Sequence, residues 1–439
     1  MKSIVISSNS SGGGKTTISV GIMKALMKKG FDVQGYKVGP DYIDPAFHSQ
    51  ITKKPSRNLD IFLMGEEGIK ASYSRGKGEL GVVEGVMGLY DGKGIDSRYS
   101  TAHVAKTLDL PVVLVLSPKA QSATLCAEIN GLMNFDEVKI SGIILNNISE
   151  SYYNLLKASI EYNCNIKVLG YIPKDERLKI GSRHLGLIQS SEIEDLEEKI
   201  DICSEHILNN IDMNELLKIF KETPEYEDNF HLENKDLKIA VAYDKAFSFY
   251  YRDNIELLEE IGEITYFSPL KDKELPKNID FLYIGGGYPE VFIEELSKNK
   301  SMLKSIKEEL DKGLKCYAEC GGLMYLTEVI ENEEIKGDAV GYFKGYSKMT
   351  KRLQNFGYAK LEVQKENNLI SKGLSINCHE FHKSIVESEE DKIFKLNKTM
   401  YNGQTKHWNC GYIKGNTVGA YAHVNFLGNI DFLKELIKK

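Results

Sequence analysis

A glycine-rich loop close to the N-terminus contains the residue types that bind nucleotide phosphates. Residues 10–17 read SSGGGKTT and lie between a β-branched run and a helical pattern. The glycines let backbone N–H groups converge on phosphate oxygens, and the following helix N-terminus adds partial positive charge. Lys15 would reach the β- and γ-phosphates, and the Thr16 hydroxyl would ligate Mg²⁺. The residues predicted to bind the nucleotide are Gly12, Gly13, Gly14, Lys15, Thr16 and Thr17.

Acidic residues follow two further apolar runs, where they would support this nucleotide site. Asp41 lies in the loop after the second run, and Glu84 and Asp91 follow the third. Because the carboxyl ends of parallel strands meet at one edge of a sheet, we expect these carboxylates beside Lys15. Mg²⁺ takes oxygen ligands and keeps several waters, so such a group suits a metal–nucleotide site. Asp44, which precedes a proline, is equally consistent with a turn residue and a catalytic one.

A cysteine in the C-terminal half has the setting of a nucleophile. Cys320 ends a predicted strand and precedes Gly321 and Gly322. Small residues at that place permit the strained strand-to-helix turn that exposes a nucleophile above a sheet. The N-terminus of the following helix lowers a thiol pKa and favours the thiolate. In another glycine loop, the N–H groups of Gly286 and Gly287 would stabilise the oxyanion of a tetrahedral intermediate.

The thiol needs a base, and several histidines downstream of Cys320 compete for that role. We assign His423, which ends an alternating run typical of a strand. His379 and His382 are three residues apart, which excludes the His-Glu-x-x-His zinc helix, and the sequence assigns them no role. His407 is interpreted as a surface or packing residue.

The elements that must position these residues alternate between short apolar runs and helical patterns. This alternation predicts an α/β fold, with a parallel sheet covered by helices on both faces. The strands predicted in this first series are 4–6, 33–38, 80–83, 112–116, 140–145 and 167–171. A second strand series begins at 237–242, and residues 340–439 are predicted to be rich in strands and turns.

Length and composition set the domain organisation and exclude several classes of partner. The 439 residues predict a nucleotide-binding domain at 1–190, a helical linker at 191–235 and another α/β domain at 236–439. A net charge of −7 gives no basic surface for nucleic acid. The seven cysteines form no Cys-x-x-Cys pair, and no apolar run has transmembrane length. We therefore expect a cytoplasmic protein with neither nucleic-acid nor membrane partners.

Motifs along nearly the whole chain resemble one family. VEGVMGLYDG at 83–92 and YAECGGLMY at 317–325 contain the predicted acidic and nucleophilic residues. The other motifs lie at 11–17, 37–45, 55–60, 100–103, 183–187, 285–290 and 379–382. In this order they resemble the cobyrinate a,c-diamide synthases. The resemblance implies a dethiobiotin-synthetase-like P-loop domain with a parallel sheet that binds ATP. It also implies a following class I glutamine amidotransferase α/β domain of the cobyric-acid-synthase type.

The same resemblance implies a ligase that amidates two carboxylates of a corrinoid. In such enzymes ATP phosphorylates the carboxylate, and ammonia from glutamine displaces the phosphate. The residues implied to hold or support Mg²⁺ are Thr16, Asp41 and Glu84, and those implied near the reacting carboxylate are Tyr42, Asp44 and Asp91. The implied partners are cobyrinate or a related tetrapyrrole, L-glutamine and ATP, and the resemblance leaves a homodimer open.

One position departs from the pattern of many class I amidotransferases. These proteins carry a glutamate two residues after the catalytic histidine, where this chain has Asn425. The cobyric-acid-synthase type often lacks that glutamate, so the resemblance implies a dyad of Cys320 and His423. The sequence identifies no group that orients His423.

Several alternatives remain beside this interpretation. The nickel-sirohydrochlorin and hydrogenobyrinate a,c-diamide synthases share the architecture and chemistry, and neither spacing nor charge separates them. The loop at 40–45 and Asn425 argue against a CTP-synthase-like enzyme. A partitioning-type ATPase switch, which is not a ligase, carries a lysine where this chain has Ser10. A binding protein with an inactive amidotransferase half is disfavoured, because Cys320 and His423 are both present.

Overall fold

The computed structural model describes residues 1–178 and 195–438, with the backbone of two short strands at 182–183 and 186–187. The motif at 183–187 is therefore described in part, and the boundary predicted at 190–191 lies outside the described residues. Backbone contacts divide the chain into two compact units. Unit 1 comprises Met1–Ile61 and Ile69–Asp228, and unit 2 comprises Phe62–Gly68 and Asn229–Lys439.

Strands and helices alternate through most of unit 1. Its strands are β1 (Lys2–Ser8), β2 (Val33–Val38), β3 (Arg57–Leu59), β4 (Leu80–Glu84), β5 (Val112–Leu116), β6 (Ile140–Asn146), β7 (Val168–Ile172), β8 (Ser182–Arg183), β9 (Gly186–Leu187) and β10 (Lys221–Glu222). Its helices are α1 (Lys15–Lys28), α2 (Ile43–Thr52), α3 (Ile61–Ser74), α4 (Thr101–Thr107), α5 (Ala123–Phe135), α6 (Glu150–Cys164), α7 (Leu196–Asn210) and α8 (Met213–Ile219). Helix α3 is kinked at Gly65, and residues 62–68 belong to unit 2.

The main sheet of unit 1 has the order β3-β2-β4-β1-β5-β6-β7, with β10 antiparallel to the start of β1. All neighbours along the path are parallel. Strands β4 and β5 are buried along their whole length, as expected where helices cover both faces of a parallel sheet. The strands predicted from the apolar runs are confirmed, with ends that differ by one or two residues.

Helices α7 and α8 form within residues 191–235, the segment predicted to be a helical linker. Their apolar residues Cys203, Ile207 and Leu216 are buried in the core that β1 and α1 also build. Gly21 of α1 allows α7 to approach closely, because a Cβ there would lie 2.5 Å from the sulfur of Cys203. These helices are consequently part of the packing of unit 1.

Unit 2 combines a parallel half-sheet with long antiparallel strands. Its strands are β11 (Leu237–Ala242), β12 (Phe247–Phe249), β13 (Gly262–Phe267), β14 (Phe281–Ile284), β15 (Gly286–Gly287), β16 (Lys315–Glu319), β17 (Val329–Glu331), β18 (Lys336–Asp338), β19 (Gly345–Val363), β20 (Ser375–Ser388), β21 (Asp391–Thr399), β22 (Thr405–Lys414), β23 (Thr417–Ala420) and β24 (His423–Val424). Its helices are α9 (Arg252–Ile261), α10 (Ile293–Lys298), α11 (Lys300–Asp311), α12 (Gly321–Leu326) and α13 (Ile430–Leu436).

The main sheet of unit 2 has the order β13-β11-β14-β16-β23-β22-β21-β19-β17-β18. Strands from β13 to β23 are parallel neighbours, whereas β23, β22, β21 and β19 pair antiparallel. Strand β20 pairs with both β19 and β24, which brings residues near the C-terminus beside the sheet. Across the described parts of the chain, no helix combines the length and apolarity needed to cross a bilayer.

Candidate active sites

The glycine loop of unit 1 connects β1 to α1 in a conformation that needs its glycines. Gly12 and Gly14 have φ angles of +77° and +88°, in the left-handed region that favours glycine. A Cβ on Gly13 would lie 2.3 Å from the hydroxyl of Ser8, so the loop is also closely packed. The Lys15 Nζ donates to the carbonyl of Ser10 at 2.9 Å and so lies over the loop. This geometry is that of a phosphate-binding turn at a helix N-terminus.

Neighbouring strands place a buried ion cluster beside that turn. Strands β2 and β4 are parallel neighbours, and their register sets Lys37 opposite Glu84. The Lys37 Nζ lies 2.9 Å from Glu84 Oε1 and 2.6 Å from Asp44 Oδ2. The Thr16 hydroxyl donates to the same Glu84 oxygen at 2.6 Å. Because Thr16 donates its hydroxyl hydrogen to Glu84, the lone pairs of its oxygen are left to bind a cation. This arrangement fits the prediction that Thr16 is a Mg²⁺ ligand.

A histidine completes the surroundings of Glu84. The Nε2 of His48 lies 2.7 Å from Glu84 Oε2, and its Nδ1 lies 3.1 Å from the hydroxyl of Ser56. Sequence reasoning assigned no role to Lys37 or His48. The signal for Lys37 was a basic residue inside a buried strand, where a charge is costly unless it is paired.

Within this cluster, Lys37, Asp44 and Glu84 shift one another's pKa values. Burial favours the neutral form of Glu84, but Lys37 and then His48 outweigh it and hold the pKa of Glu84 well below its usual range. Burial likewise opposes the charge on Lys37, yet Asp44 and Glu84 raise the pKa of this lysine. Burial, followed by the charges of Asp41 and Glu84, raises the pKa of Asp44 well above its ordinary value. Two carboxylates share one ammonium, so their pKa values separate.

The remaining acidic and aromatic candidates of unit 1 lie at loop ends. Asp41 Oδ1 accepts the N–H groups of Ile43 and Asp44 at 2.8 and 3.0 Å, so Asp41 supports the start of α2. Tyr42 is the N-cap residue of the same helix. Asp91 is exposed, and its Oδ2 accepts the N–H of a nearby loop glycine at 2.8 Å. Within the described residues, no cluster of three or more His, Cys, Asp or Glu side chains could hold a metal by itself.

Unit 2 contains the predicted nucleophile elbow. Cys320 lies between β16 and α12 with a φ of +48°, a strained value for a residue with a Cβ. The next two glycines are sterically required. A Cβ on Gly322 would lie 2.2 Å from the carbonyl oxygen of Ile284, and one on Gly321 would lie 3.1 Å from the N of Gly287. The elbow therefore packs directly against the glycine loop that was predicted to supply oxyanion donors.

The predicted base lies at the same place. His423 begins β24 and is buried, and a Cβ on Gly286 would lie 2.6 Å from its Cε1 atom. Burial opposes protonation of His423, but its interactions with Cys320 and then with the carboxylate of Glu319 raise its pKa to about 10. Unit 2 thus brings Cys320, His423, Gly286 and Gly287 together.

A carboxylate that sequence reasoning missed lies beside the base. Glu319 Oε2 is 3.4 Å from Nδ1 of His423. Glu319 stands directly before Cys320 in the motif at 317–325, and no local pattern distinguishes it from an ordinary strand residue. Asn425, which occupies the position where many class I amidotransferases carry glutamate, instead accepts the N–H of Leu427 at 3.0 Å.

The other histidines of unit 2 have distinct surroundings. His379 pairs with His423 across β20 and β24, and burial followed by the charge of His423 lowers its pKa to about 3. His382 stacks on Tyr421 with ring centroids 3.7 Å apart. His407 is exposed on β22, which agrees with its interpretation as a surface residue.

Comparisons with known proteins agree with this pair of sites. Residues 4–188 match the CobQ/CobB/MinD/ParA nucleotide binding domain, and residues 238–430 match the CobB/CobQ-like glutamine amidotransferase domain. A protein of Clostridium tetani is 89% identical over the full length of both chains, and one of Clostridium acetobutylicum is 62% identical over the full length of both. One of Listeria innocua is 44% identical over 99% of each chain. All three are named cobyrinate a,c-diamide synthase.

These matches confirm the predicted α/β fold class, a nucleotide-binding P-loop domain followed by a glutamine amidotransferase domain. These relatives do not carry the names of the nickel-sirohydrochlorin or hydrogenobyrinate enzymes, so those alternatives are not favoured. The chain belongs to the cobyrinate a,c-diamide synthase family.

Proposed function

We propose that this protein amidates the a and c acetate carboxylates of cobyrinate, in cobalamin biosynthesis, with ATP and glutamine as co-substrates. The observation that carries the proposal is the presence in one chain of two complementary sites. A phosphate-binding loop adjoins a buried Lys37–Glu84 pair, and a nucleophile elbow at Cys320 adjoins His423. Identity of 89% over the full length to a protein named for this activity supports the choice of substrate.

Ammonia is generated at the elbow of unit 2. The Cys320 thiolate forms a bond to the side-chain carbonyl carbon of glutamine, while the N–H groups of Gly286 and Gly287 stabilise the oxyanion. As the C–N bond breaks, protonated His423 gives its proton to the leaving nitrogen, and a thioester and ammonia result. Neutral His423 then removes a proton from water, which hydrolyses the thioester to glutamate and regenerates Cys320.

Carboxylate activation takes place at the loop of unit 1. A carboxylate is a poor acyl electrophile until one oxygen is phosphorylated, so ATP transfers its γ-phosphoryl group to the substrate. Lys15 and the N–H groups of residues 12–17 stabilise the phosphate charge, and catalysis is mainly positioning. Tyr42, Asp44 and Asp91 are proposed to lie near the reacting carboxylate. Ammonia then attacks the acyl phosphate, the amide forms, and inorganic phosphate leaves.

Mg²⁺ is the metal that this proposal includes. Thr16 would bind it directly, while Glu84 holds the Thr16 hydroxyl and Asp41 contributes carboxylate oxygen. When bound, Mg²⁺ neutralises phosphate charge and keeps several water ligands, so it needs few protein oxygens. We also propose a cytoplasmic location, which fits the small-molecule substrates. A homodimer remains a prediction, and sedimentation equilibrium would test it.

Separating the half-reactions tests the function. We expect Cys320→Ala to lose glutamine-dependent amidation and to retain ammonia-dependent amidation, since the nucleophile is absent and the loop is intact. Lys15→Ala loses amidation from either nitrogen source. Cys316→Ala, which changes a buried cysteine of β16, the strand before Cys320, is expected to retain both activities and is the matched control. Product masses are read with cobyrinate, hydrogenobyrinate and nickel-sirohydrochlorin offered side by side.

Two amides gained by cobyrinate in preference to the other substrates support the proposal in full. Normal glutamine use by Cys320→Ala would contradict the amidotransferase mechanism. If glutamine is hydrolysed but none of the three tetrapyrroles reacts, the mechanism stands and the substrate assignment is wrong.

A further inference from the structure

We propose that Glu319 is the positioning carboxylate of the glutaminase site, holding His423 through Nδ1 so that Nε2 faces the Cys320 thiol. The inference rests on the proposed glutaminase function and adds a residue to it. The sequence left His423 without an orienting partner, and a histidine that serves as acid and base works best when its second nitrogen is held. Glu319 fills that role from the residue directly before the nucleophile.

The first support is the geometry of the carboxylate. Glu319 is the last residue of β16 and is 1% exposed. Its Oε2 lies 3.4 Å from Nδ1 of His423, and its Oε1 accepts the N–H of Val424 at 3.3 Å. The two oxygens therefore contact two successive residues of β24. One carboxylate thus accepts from the backbone of Val424 and forms an ion pair with the ring of His423.

Strand register explains why the carboxylate comes from this position. Strands β16 and β23 are parallel neighbours, with Glu319 opposite Ala420. The chain then continues three residues to His423, at the edge of the same sheet. The register thus places Glu319 and Cys320 beside the segment that leads to His423.

The second support is that Asn425 is engaged elsewhere. Its Oδ1 accepts the N–H of Leu427, and its Nδ2 is buried without a hydrogen-bond partner among the described residues. Asn425 therefore supports a turn. The acceptor that many class I amidotransferases place two residues after the histidine is replaced here by one from another strand.

The third support is electrostatic. A buried carboxylate is costly unless it is paired, and within the described residues the ion-pair partner of Glu319 is His423. The other titratable groups facing Glu319 are neutral phenols and a thiol on adjoining elements. They are Tyr250, Tyr283, Tyr317 and Cys378. His423 itself faces Cys320, Glu319 and His379. The His423 ring therefore lies between the Cys320 sulfur and the Glu319 carboxylate.

The role differs from that of a catalytic residue, since Glu319 acts through His423 and forms no bond to glutamine in the proposed steps. It stabilises the imidazolium that donates a proton to the departing ammonia. It also selects the tautomer with hydrogen on Nδ1 when the ring is neutral, so that Nε2 can accept a proton from water.

Glu319→Gln tests this assignment, because glutamine has the same shape and lacks the charge. We expect kcat for glutamine hydrolysis to fall roughly 10²-fold, with little change in KM. Alkylation of Cys320 by iodoacetamide, followed by mass spectrometry of its peptide, reports the thiolate as a function of pH. Without the carboxylate the imidazolium is less stable, so the pH midpoint of alkylation rises by about one unit. Ammonia-dependent amidation stays at the wild-type rate.

Two further variants make the test specific. Glu319→Asp keeps the charge one methylene farther from His423, so its alkylation midpoint stays close to wild type while kcat falls less than in Glu319→Gln. Asn425→Ser keeps an oxygen acceptor for Leu427 and leaves both the midpoint and kcat unchanged. If Glu319→Gln does not fold, Glu319→Asp decides, and a wild-type kcat in that variant overturns the proposal.

The proposal is wrong if folded Glu319→Gln hydrolyses glutamine at the wild-type rate with an unchanged alkylation midpoint. It is also wrong if the Asp and Gln variants lose kcat equally and neither midpoint moves, which would indicate packing alone. If the wild-type protein does not hydrolyse glutamine, the proposed function fails. The alkylation midpoints then still decide whether Glu319 stabilises the imidazolium.

Discussion

Lys15, in the glycine loop of unit 1, has a lowered pKa that affects the stability of the protein. It is 8% exposed, and burial followed by repulsion from Lys37 lowers its pKa to about 8. In the unfolded chain the lysine binds its proton more tightly, so this group opposes folding at neutral pH. Stability from this residue rises as the pH increases from about 8 to the ordinary value of 10.5. Protonated Lys15 therefore lowers the stability of the folded protein at neutral pH.

The same shift predicts how ATP affinity depends on pH. Protonated Lys15 attracts phosphate, so affinity falls as the pH rises through about 8, by up to about tenfold per pH unit. Calorimetric titration with ATP and Mg²⁺ at several pH values measures the slope. Lys15→Met binds more weakly and with no such slope, whereas Lys29→Met, at an exposed end of α1, resembles wild type. An unchanged slope in Lys15→Met would assign the titration to another group.

Among the elements of unit 1, the apolar runs predicted the six strands β1, β2 and β4–β7, because burial on both faces leaves a continuous signal. The loop and the elbow were also predictable, since consecutive glycines between a strand and a helix are typical of a turn that needs positive φ or close backbone approach. The order of the strands within each sheet could not be predicted from the apolar runs or the glycine turns. The contact between Lys37 and Glu84 depends on β2 and β4 being neighbours, and the contact between Glu319 and His423 depends on β16 and β23 being neighbours.

The long antiparallel strands were predicted in kind but not in extent. Strands β19 and β20 cover 345–363 and 375–388 with mixed exposed and buried residues, so no continuous apolar run marks their ends. Their pairing nevertheless brings His379 opposite His423. Long-range pairing of this kind leaves no local pattern, which is why the surroundings of His423 needed the structure.

Helix α12 must approach β14 closely for the elbow to form, and Gly322 makes this approach possible. Gly322→Ala would put a Cβ against the backbone carbonyl of Ile284, where only backbone movement relieves a separation of 2.2 Å. We expect a loss of about 1–3 kcal/mol in the free energy of unfolding and a fall in glutamine hydrolysis. Urea unfolding and a glutaminase assay measure both.

Gly131 is the matched control for this substitution. It is exposed in α5, and a Cβ there would have no atom within 4 Å. Gly131→Ala is therefore expected to raise the free energy of unfolding by about 0.5–1 kcal/mol, because alanine loses less backbone entropy in a helix. Equal effects of the two substitutions would show that close packing at Gly322 is not what limits the elbow.

In the whole molecule, the residues proposed for each half-reaction belong to one compact unit. Lys15, Thr16 and Glu84 belong to unit 1, while Cys320 and His423 belong to unit 2. Loss of one chemistry should therefore leave the other intact in the full-length chain.

Mixing two inactive variants makes this independence measurable. We expect Cys320→Ala to lack glutamine hydrolysis and Lys15→Ala to lack carboxylate activation, so that neither alone amidates cobyrinate with glutamine. Together they should restore slow amidation, because ammonia released into solution by Lys15→Ala can react at the loop of Cys320→Ala. The rate should rise with the concentration of Lys15→Ala and disappear when an ammonia-consuming enzyme is added. A mixture that stays inactive while Lys15→Ala still hydrolyses glutamine would show that the two chemistries depend on each other within one chain.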